Sequence, residues 1–243
     1  MNNKKIVVFI HIPKTGGSSF WHALADSASK SPDIAIGDSL HEALIRNEPK
    51  ENAYFHAIRM CDDLEKMEQN TLLMHMHYPK GNYRDISHNI NYILLHRNPL
   101  ERMRSAFRHW LQKSTAGGYK FPATDFFLSD FAPGINEYLS SCFSASDSWF
   151  RRPSADLLNF VRENVTSISF SDYINSGWQL GRLSKKLGIS EIPVIHHPKT
   201  VTDKKFDREL DLLLSDNEEF KINWNYRLHW ENQWHRDIGL PEF

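Results

Sequence analysis

The residues His11 to Phe20, read as His11-Ile-Pro-Lys14-Thr15-Gly16-Gly17-Ser18-Ser19-Phe20, combine the parts of an anion-binding loop. Glycines let backbone approach a ligand closely, successive N–H groups form a concave donor surface, and the positive end of a following helix favours negative charge. Ser18 and Ser19 add hydroxyl donors, and Lys14 adds an ammonium. The order differs from the Walker A loop, in which lysine follows the last glycine and the adjoining Ser or Thr coordinates magnesium. Here Lys14 precedes Gly16-Gly17, and no Lys-Ser or Lys-Thr pair opens the helix. A magnesium-dependent kinase is therefore disfavoured, although a P-loop-like nucleotide kinase and a non-catalytic nucleotide-binding module both remain as alternatives.

A second constellation runs from Tyr92 through Arg97-Asn98-Pro99 to Ser105 and Phe107. Arg97 follows an apolar run directly, at what would be the carboxyl end of a strand, where ligands of open α/β sheets bind. Its guanidinium is a planar cationic fork suited to phosphate. Ser105 lies eight residues later with a hydroxyl. Arg102, Arg104, Arg108 and Lys113 also read as the solvated face of a helix, Arg104 and Lys113 above all.

The stretch Met74-His75-Met76-His77-Tyr78 supplies imidazoles after another apolar run. An imidazole near its ordinary pKa of about 6.5 accepts a proton at neutral pH, so one of the pair could be a general base. A histidine satisfied in the core is the bland alternative. A metal site is rejected, because side chains two apart on a strand face opposite sides and no set of carboxylate or cysteine ligands accompanies them. His196-His197-Pro198-Lys199-Thr200 leads to Lys204 and Lys205, a basic surface loop on its plain reading. Arg151-Arg152-Pro153 would either grip an anionic acceptor or cap the next helix. Phe121, Phe126, Phe127, Phe131, Phe143, Trp149 and Phe150 would line a cleft or fill a core.

These residues need elements to hold them. Ile6 to Ile10 reads as a buried parallel strand, broken by Pro13 to Gly17, and Ser18 or Ser19 then caps a helix through Ala28. Asn52 to Ile58 reads as a short strand, Asp62 to Glu68 as a short helix, and Thr71 to His75 as a further strand. Asn91 to His96 is a clear strand, and Pro99 suits the first turn of a helix reaching Lys113. Between Ser114 and Pro153 the periodicity fades into a long connection with short helical pieces, of the kind that serves as a lid or acceptor contact. Ala155 to Asn164 reads as a helix, Ser167 to Phe170 as a strand, Gly177 to Leu187 as a helix stopped by Gly188, and Pro193 to Ile195 as a last short strand. The tail from Asp207 is expected to be helical. Strands alternating with helices predict an α/β three-layer sandwich around a mostly parallel sheet.

At 243 residues the chain is long enough for one α/β domain with a real core, so residues 1–243 are taken as one unit with the irregular segment at 114–153. The formal charge of −1 gives no general attraction to nucleic acid or anionic lipid, so any anion site must be local. Two cysteines, Cys61 and Cys142, are too few for a disulfide framework and suit a reducing compartment. The apolar run before His11 is far short of the ~20 residues that span a bilayer. A cytoplasmic protein without a membrane span is expected.

Together the motifs resemble those of sulfotransferases that use 3′-phosphoadenosine 5′-phosphosulfate (PAPS), especially the branch of heparan sulfate 2-O-sulfotransferases and bacterial relatives. The first loop resembles their 5′-phosphosulfate loop, which implies that Lys14 contacts the phosphosulfate bridge and that Thr15, Gly16, Gly17, Ser18 and Ser19 wrap the 5′-phosphate. The segment at Arg97 and Ser105 resembles their 3′-phosphate motif. The His-x-His stretch implies that His77 is the base, with His75 as its competitor. Lys199 and Thr200 resemble a late loop that closes over the donor near its 3′ end. The resemblance further implies in-line transfer to a hydroxyl or amine, no metal, and an acceptor that is a glycan or, failing that, a small natural product or lipid headgroup. It gives no oligomeric state.

Overall fold

The computed structural model describes residues 4–37, 64–76, 90–116, 122–129, 131–143, 154–175, 177–195 and 204–240. Within them, β1 (Lys5–Ile10), β2 (Ile34–Ile36), β3 (Thr71–Met76), β4 (Ile90–His96) and β5 (Val165–Ser169) form one sheet in the order β2-β3-β1-β4-β5. Every neighbouring pair is parallel. Parallel sheets are covered on both faces, so their strands are continuous apolar runs, as in β1, β3 and β4.

The helices are α1 (Gly17–Ala28), α2 (Pro99–Ala116), α3 (Ile135–Phe143), α4 (Ala155–Asn164), α5 (Phe170–Ile174), α6 (Trp178–Leu187), α7 (Lys204–Asp216) and α8 (Glu218–Asp237), with a 3-10 turn at Ala123–Leu128. Alternate strand residues point to opposite faces. Ile6, Val8, Ile10, Met74 and Leu94 pack on one side with Leu139 of α3, Val161 of α4 and Trp234 of α8. Val7, Phe9, Leu73, Ile93 and Ile168 pack on the other with Phe20 and Leu24 of α1 and Leu180 and Leu183 of α6. The result is the three-layer α/β arrangement expected from the sequence. A third cluster lies beside it, in which Met103, Phe107 and Trp110 of α2 meet Phe126, Leu210 of α7, and Phe220 and Trp224 of α8. Among the described residues, no helix is long and apolar enough to cross a membrane.

Several local expectations are corrected. Gly16, not a serine, is the N-cap of α1. Ile34–Ile36 forms an edge strand against Thr71–Leu73 that the sequence did not announce, whereas Pro193 to Ile195 has no regular structure. Phe170 starts α5 instead of ending β5. Of the helix expected from Asp62 to Glu68, residues 64–66 form a helical turn and 67–68 do not continue it, while residues 62 and 63 lie outside the described residues. Gly188 does stop α6, in the left-handed conformation, with Ile189 N donating to Ser184 O at 3.1 Å. The expected strand at Asn52 to Ile58 lies outside the described residues.

The strand order decides where a ligand would sit. The chain leaves β1 through α1 toward the β2 edge, and leaves β4 through α2 toward the β5 edge, although β1 and β4 are neighbours. Their carboxyl ends thus flank a topological switch point, the usual crevice for ligands in such sheets.

Candidate functional site

The loop after β1 opens this crevice. His11 N still donates to Met76 O at 2.8 Å, extending the β1–β3 ladder by one residue. The chain then turns through two left-handed residues, Lys14 (φ 68°) and Gly16 (φ 87°). For lysine that conformation costs roughly 1–2 kcal/mol, a strain that proteins concentrate at functional sites. Thr15 Oγ1 closes the turn by donating to Ile12 O at 2.8 Å. Because Phe20 N makes the first helical bond, to Gly16 O at 3.1 Å, the N–H groups of Gly17, Ser18 and Ser19 precede the ladder of α1. No side chain caps that end, and its first turn holds no acidic residue. The positive end of α1 is left for an anion.

Packing explains both glycines. A Cβ on Gly16 would lie 2.4 Å from Phe170 Cε2, and one on Gly17 would lie 2.1 Å from His11 Cδ2. Phe170 reaches the loop from the end of β5, and the Arg97 guanidinium stacks over the same ring at 4.9 Å from its centroid. One aromatic ring thus bridges the two motifs that the sequence placed 80 or more residues apart. Arg97 Nε also donates to Glu101 Oε2 at 3.1 Å, while Asn98 Oδ1 accepts from Glu101 N and caps α2.

Charge gathers at the same place. Burial, and then the neighbouring Arg97 and Lys113 cations, hold the Lys14 amine below the ordinary lysine range. Burial, together with Lys14 and Lys113, pushes His109 down to about 4. His109 meets Phe131 edge-on with ring centroids 4.9 Å apart, and Lys113 Nζ sits 5.3 Å from the centroid of that ring. Ser105, His109 and Lys113 follow one another at four-residue steps, so they share a face of α2. Among the described residues, Glu101 is the one carboxylate paired with a cation of this group, and none is paired with Lys14 or Lys113.

Of the residues singled out from the sequence, Lys14, Thr15, Gly16, Gly17, Ser18, Ser19, Arg97 and Ser105 are described, and Lys14 and Arg97 come close enough to repel one another. His77, Lys199, Thr200, Arg151 and Arg152 lie outside the described residues. His75 is a buried residue of β3 whose Nε2 lies 2.9 Å from His11 Nδ1. The arginines of α2 are not a solvated row. Arg102 is buried against Glu231, Arg108 pairs with Asp207 at 2.6 Å and Arg104 with Asp211 at 3.5 Å. Phe126 and Phe143 belong to the core. Among the described residues, no group of three or more His, Cys, Asp or Glu side chains could hold a metal ion.

No family model matches the chain, and no curated protein matches it. Among solved structures, mouse sulfotransferase SULT7A1 complexed with PAP is 14% identical, aligned over 93% of this chain and 90% of that chain, with a TM-score of 0.37. A score that low carries nothing about activity, so the chemistry of the site rests on its own residues.

Sequence reasoning missed Phe170 and His109, whereas Lys113, read as part of a solvated face, is indeed exposed. The four-residue spacing from Ser105 to His109 and Lys113 was visible and points to one helix face. Phe170 carried a weaker signal, its position directly after a strand that neighbours β4.

Proposed function

We propose that this chain is a sulfotransferase that takes PAPS as donor, with the 5′ side on the loop after β1 and the 3′-phosphate between Arg97 and Ser105. The observation that carries this reading is the half-buried Lys14 amine, crowded by Arg97 and then by the exposed Lys113, with no carboxylate paired to it among the described residues. Holding a half-buried cation close to others is unfavourable, and a bound anion would offset that cost. The open end of α1 and the left-handed Lys14 point to the same ligand class. The resemblance of both motifs to the PAPS-binding segments of sulfotransferases supplies the donor's identity.

The donor supplies a sulfuryl group whose bond to a phosphate oxygen breaks as the acceptor oxygen bonds to sulfur. Negative charge then grows on the departing phosphate oxygen. Lys14 answers it with an ammonium already desolvated, and the N–H groups of Gly17, Ser18 and Ser19 add fixed donors. Arg97, steadied by Phe170 and Glu101, and Ser105 orient the nucleotide at its other end. The acceptor's proton goes to an imidazole, His77 by resemblance. A glycan is the proposed acceptor, with a small natural product or lipid headgroup as the runner-up.

Calorimetry with 3′-phosphoadenosine 5′-phosphate in EDTA, set against ATP with magnesium, tests the reading. The desulfated nucleotide should bind without metal and more tightly than ATP. Tighter, magnesium-dependent ATP binding would favour a kinase, and nucleotide binding with neither hydrolysis nor transfer of sulfate would leave a binding module.

A further inference from the structure

We propose that His11 is a positioning residue of the anion loop, its imidazole hydrogen-bonded to His75 and packed against Gly17 so that the loop keeps its N–H groups directed at the ligand. The inference rests on reading the loop as an oxyanion site, and not on which donor it takes.

The two rings are 4% and 6% exposed, with Nδ1 of His11 and Nε2 of His75 2.9 Å apart. A bond between these nitrogens requires that one ring donate and the other accept, so each fixes the tautomer of its partner. Neighbouring rings hold the pair in place. Phe9 stacks on His11 at 5.7 Å and on His75 at 5.5 Å, and Trp21 of α1 stacks on His75 at 4.8 Å. His11 therefore cannot swing aside without giving up both the hydrogen bond and the stack.

The other edge of the same ring meets the loop. His11 Cδ2 occupies the place where residue 17 would carry a Cβ, so the start of α1 rests on the imidazole. Lys14 and Gly16, both left-handed, lie between His11 and this contact and must be held from outside their own turn. His11 is pinned on one side by its backbone bond to Met76 and on the other by His75, both on β3. The strand that leads to His77 thus also sets the shape of the loop that contains Lys14.

The test titrates inorganic pyrophosphate and, separately, 3′-phosphoadenosine 5′-phosphate into the full chain while following the Gly16 and Gly17 amide resonances. In the free protein, imidazole nitrogen spectra should show one fixed tautomer for each ring, one of the two facing nitrogens protonated and the other not. His11→Leu, which keeps bulk but no hydrogen bond, should weaken pyrophosphate about tenfold while the protein still unfolds cooperatively. His75→Gln places an amide near the old Nε2 and leaves the His11 ring against Gly17, so it should keep most of the affinity. His11→Asn keeps a polar group near the old Nδ1 but loses the ring edge at Gly17, and should fall between His11→Leu and wild type. Mixed tautomers in the wild type, or pyrophosphate affinity unchanged in His11→Leu, would overturn the inference. If His11→Leu fails to fold, His11→Asn supplies the affinity readout, and the tautomer measurement still overturns the inference when the tautomers are mixed. Pyrophosphate binding that depends on His11 without any nucleotide binding would sink the donor assignment and leave this inference standing, whereas a wild type that binds neither probe sinks both.

Discussion

Two kinds of cation surround helix α2, and the contrast between them separates scaffold from site. Toward α8, Arg102 is 1% exposed and meets Glu231 through two bonds of 2.6 Å, with Pro133 O accepting a further bond at 3.1 Å. Arg227 and Glu137 repeat the pattern nearby at 2.9 Å. Toward the loop, Lys14 and Lys113 have no such partners among the described residues. A charge kept for structure is neutralised inside the fold. Lys14, half-buried and repelled by its neighbours, is relieved by a bound anion, and the helix end and the glycines leave room for one.

The contrast can be broken most forcefully on the scaffold side. Glu231→Ala leaves Arg102 buried and uncompensated, which should cost about 3–5 kcal/mol in urea denaturation. A loss below roughly 1 kcal/mol would mean that the pair is solvated and that the distinction between the two groups of cations is false.

On the site side, Lys14→Met should lower the release of labelled sulfate from PAPS by a factor of about 10² to 10³, the usual loss for one transition-state donor. Turnover equal to wild type would remove Lys14 from the chemistry.

Acid should act mainly on the scaffold. Burial and the nearby His235 hold His96 at about 3, and burial and Arg102 hold His235 at about 4. Both lie below the free value of about 6.5, so the unfolded chain binds more protons than the fold between these limits. Stability is then complete above that free value and falls with pH, by up to roughly 1.4 kcal/mol per pH unit for each ring. Urea midpoints that stay level from neutrality to pH ~4 would contradict this assignment.

A smaller effect belongs to the site. His109 is held at about 4 by burial, Lys14 and Lys113, and an anion bound beside Lys14 offsets the two cations and returns it toward its ordinary range. Nucleotide binding near pH ~5 should therefore take up a fraction of a proton, read by calorimetry in buffers of different ionisation enthalpy. His109→Gln should abolish the uptake, and uptake that persists in this variant would place the responsible group elsewhere.

What the sequence disclosed follows the reach of its signals. The central strands were legible because a strand covered on both faces must be apolar throughout, and the loop was legible because Lys14, Gly16 and Gly17 announce a turn against an anion. Arg97 stood out because it ends an apolar run. The three-residue β2 has too little pattern of its own and forms by pairing with β3. Arg102 was illegible as a core residue because its partner, Glu231, is supplied by a helix 129 residues away. The serine cap failed because the helix opens earlier than its serines suggest, at Gly17 behind the left-handed Gly16, which puts Ser18 and Ser19 inside its first turn.

The central claim, that Lys14 is destabilising until an anion joins it, is tested most directly by melting wild type and Lys14→Met with and without 3′-phosphoadenosine 5′-phosphate. Free Lys14→Met should melt above the free wild type, because a desolvated and repelled cation is gone, yet it should lose most of the upward shift that the nucleotide gives the wild type. A variant that melts lower than wild type, or one that keeps the full ligand shift, would contradict the account.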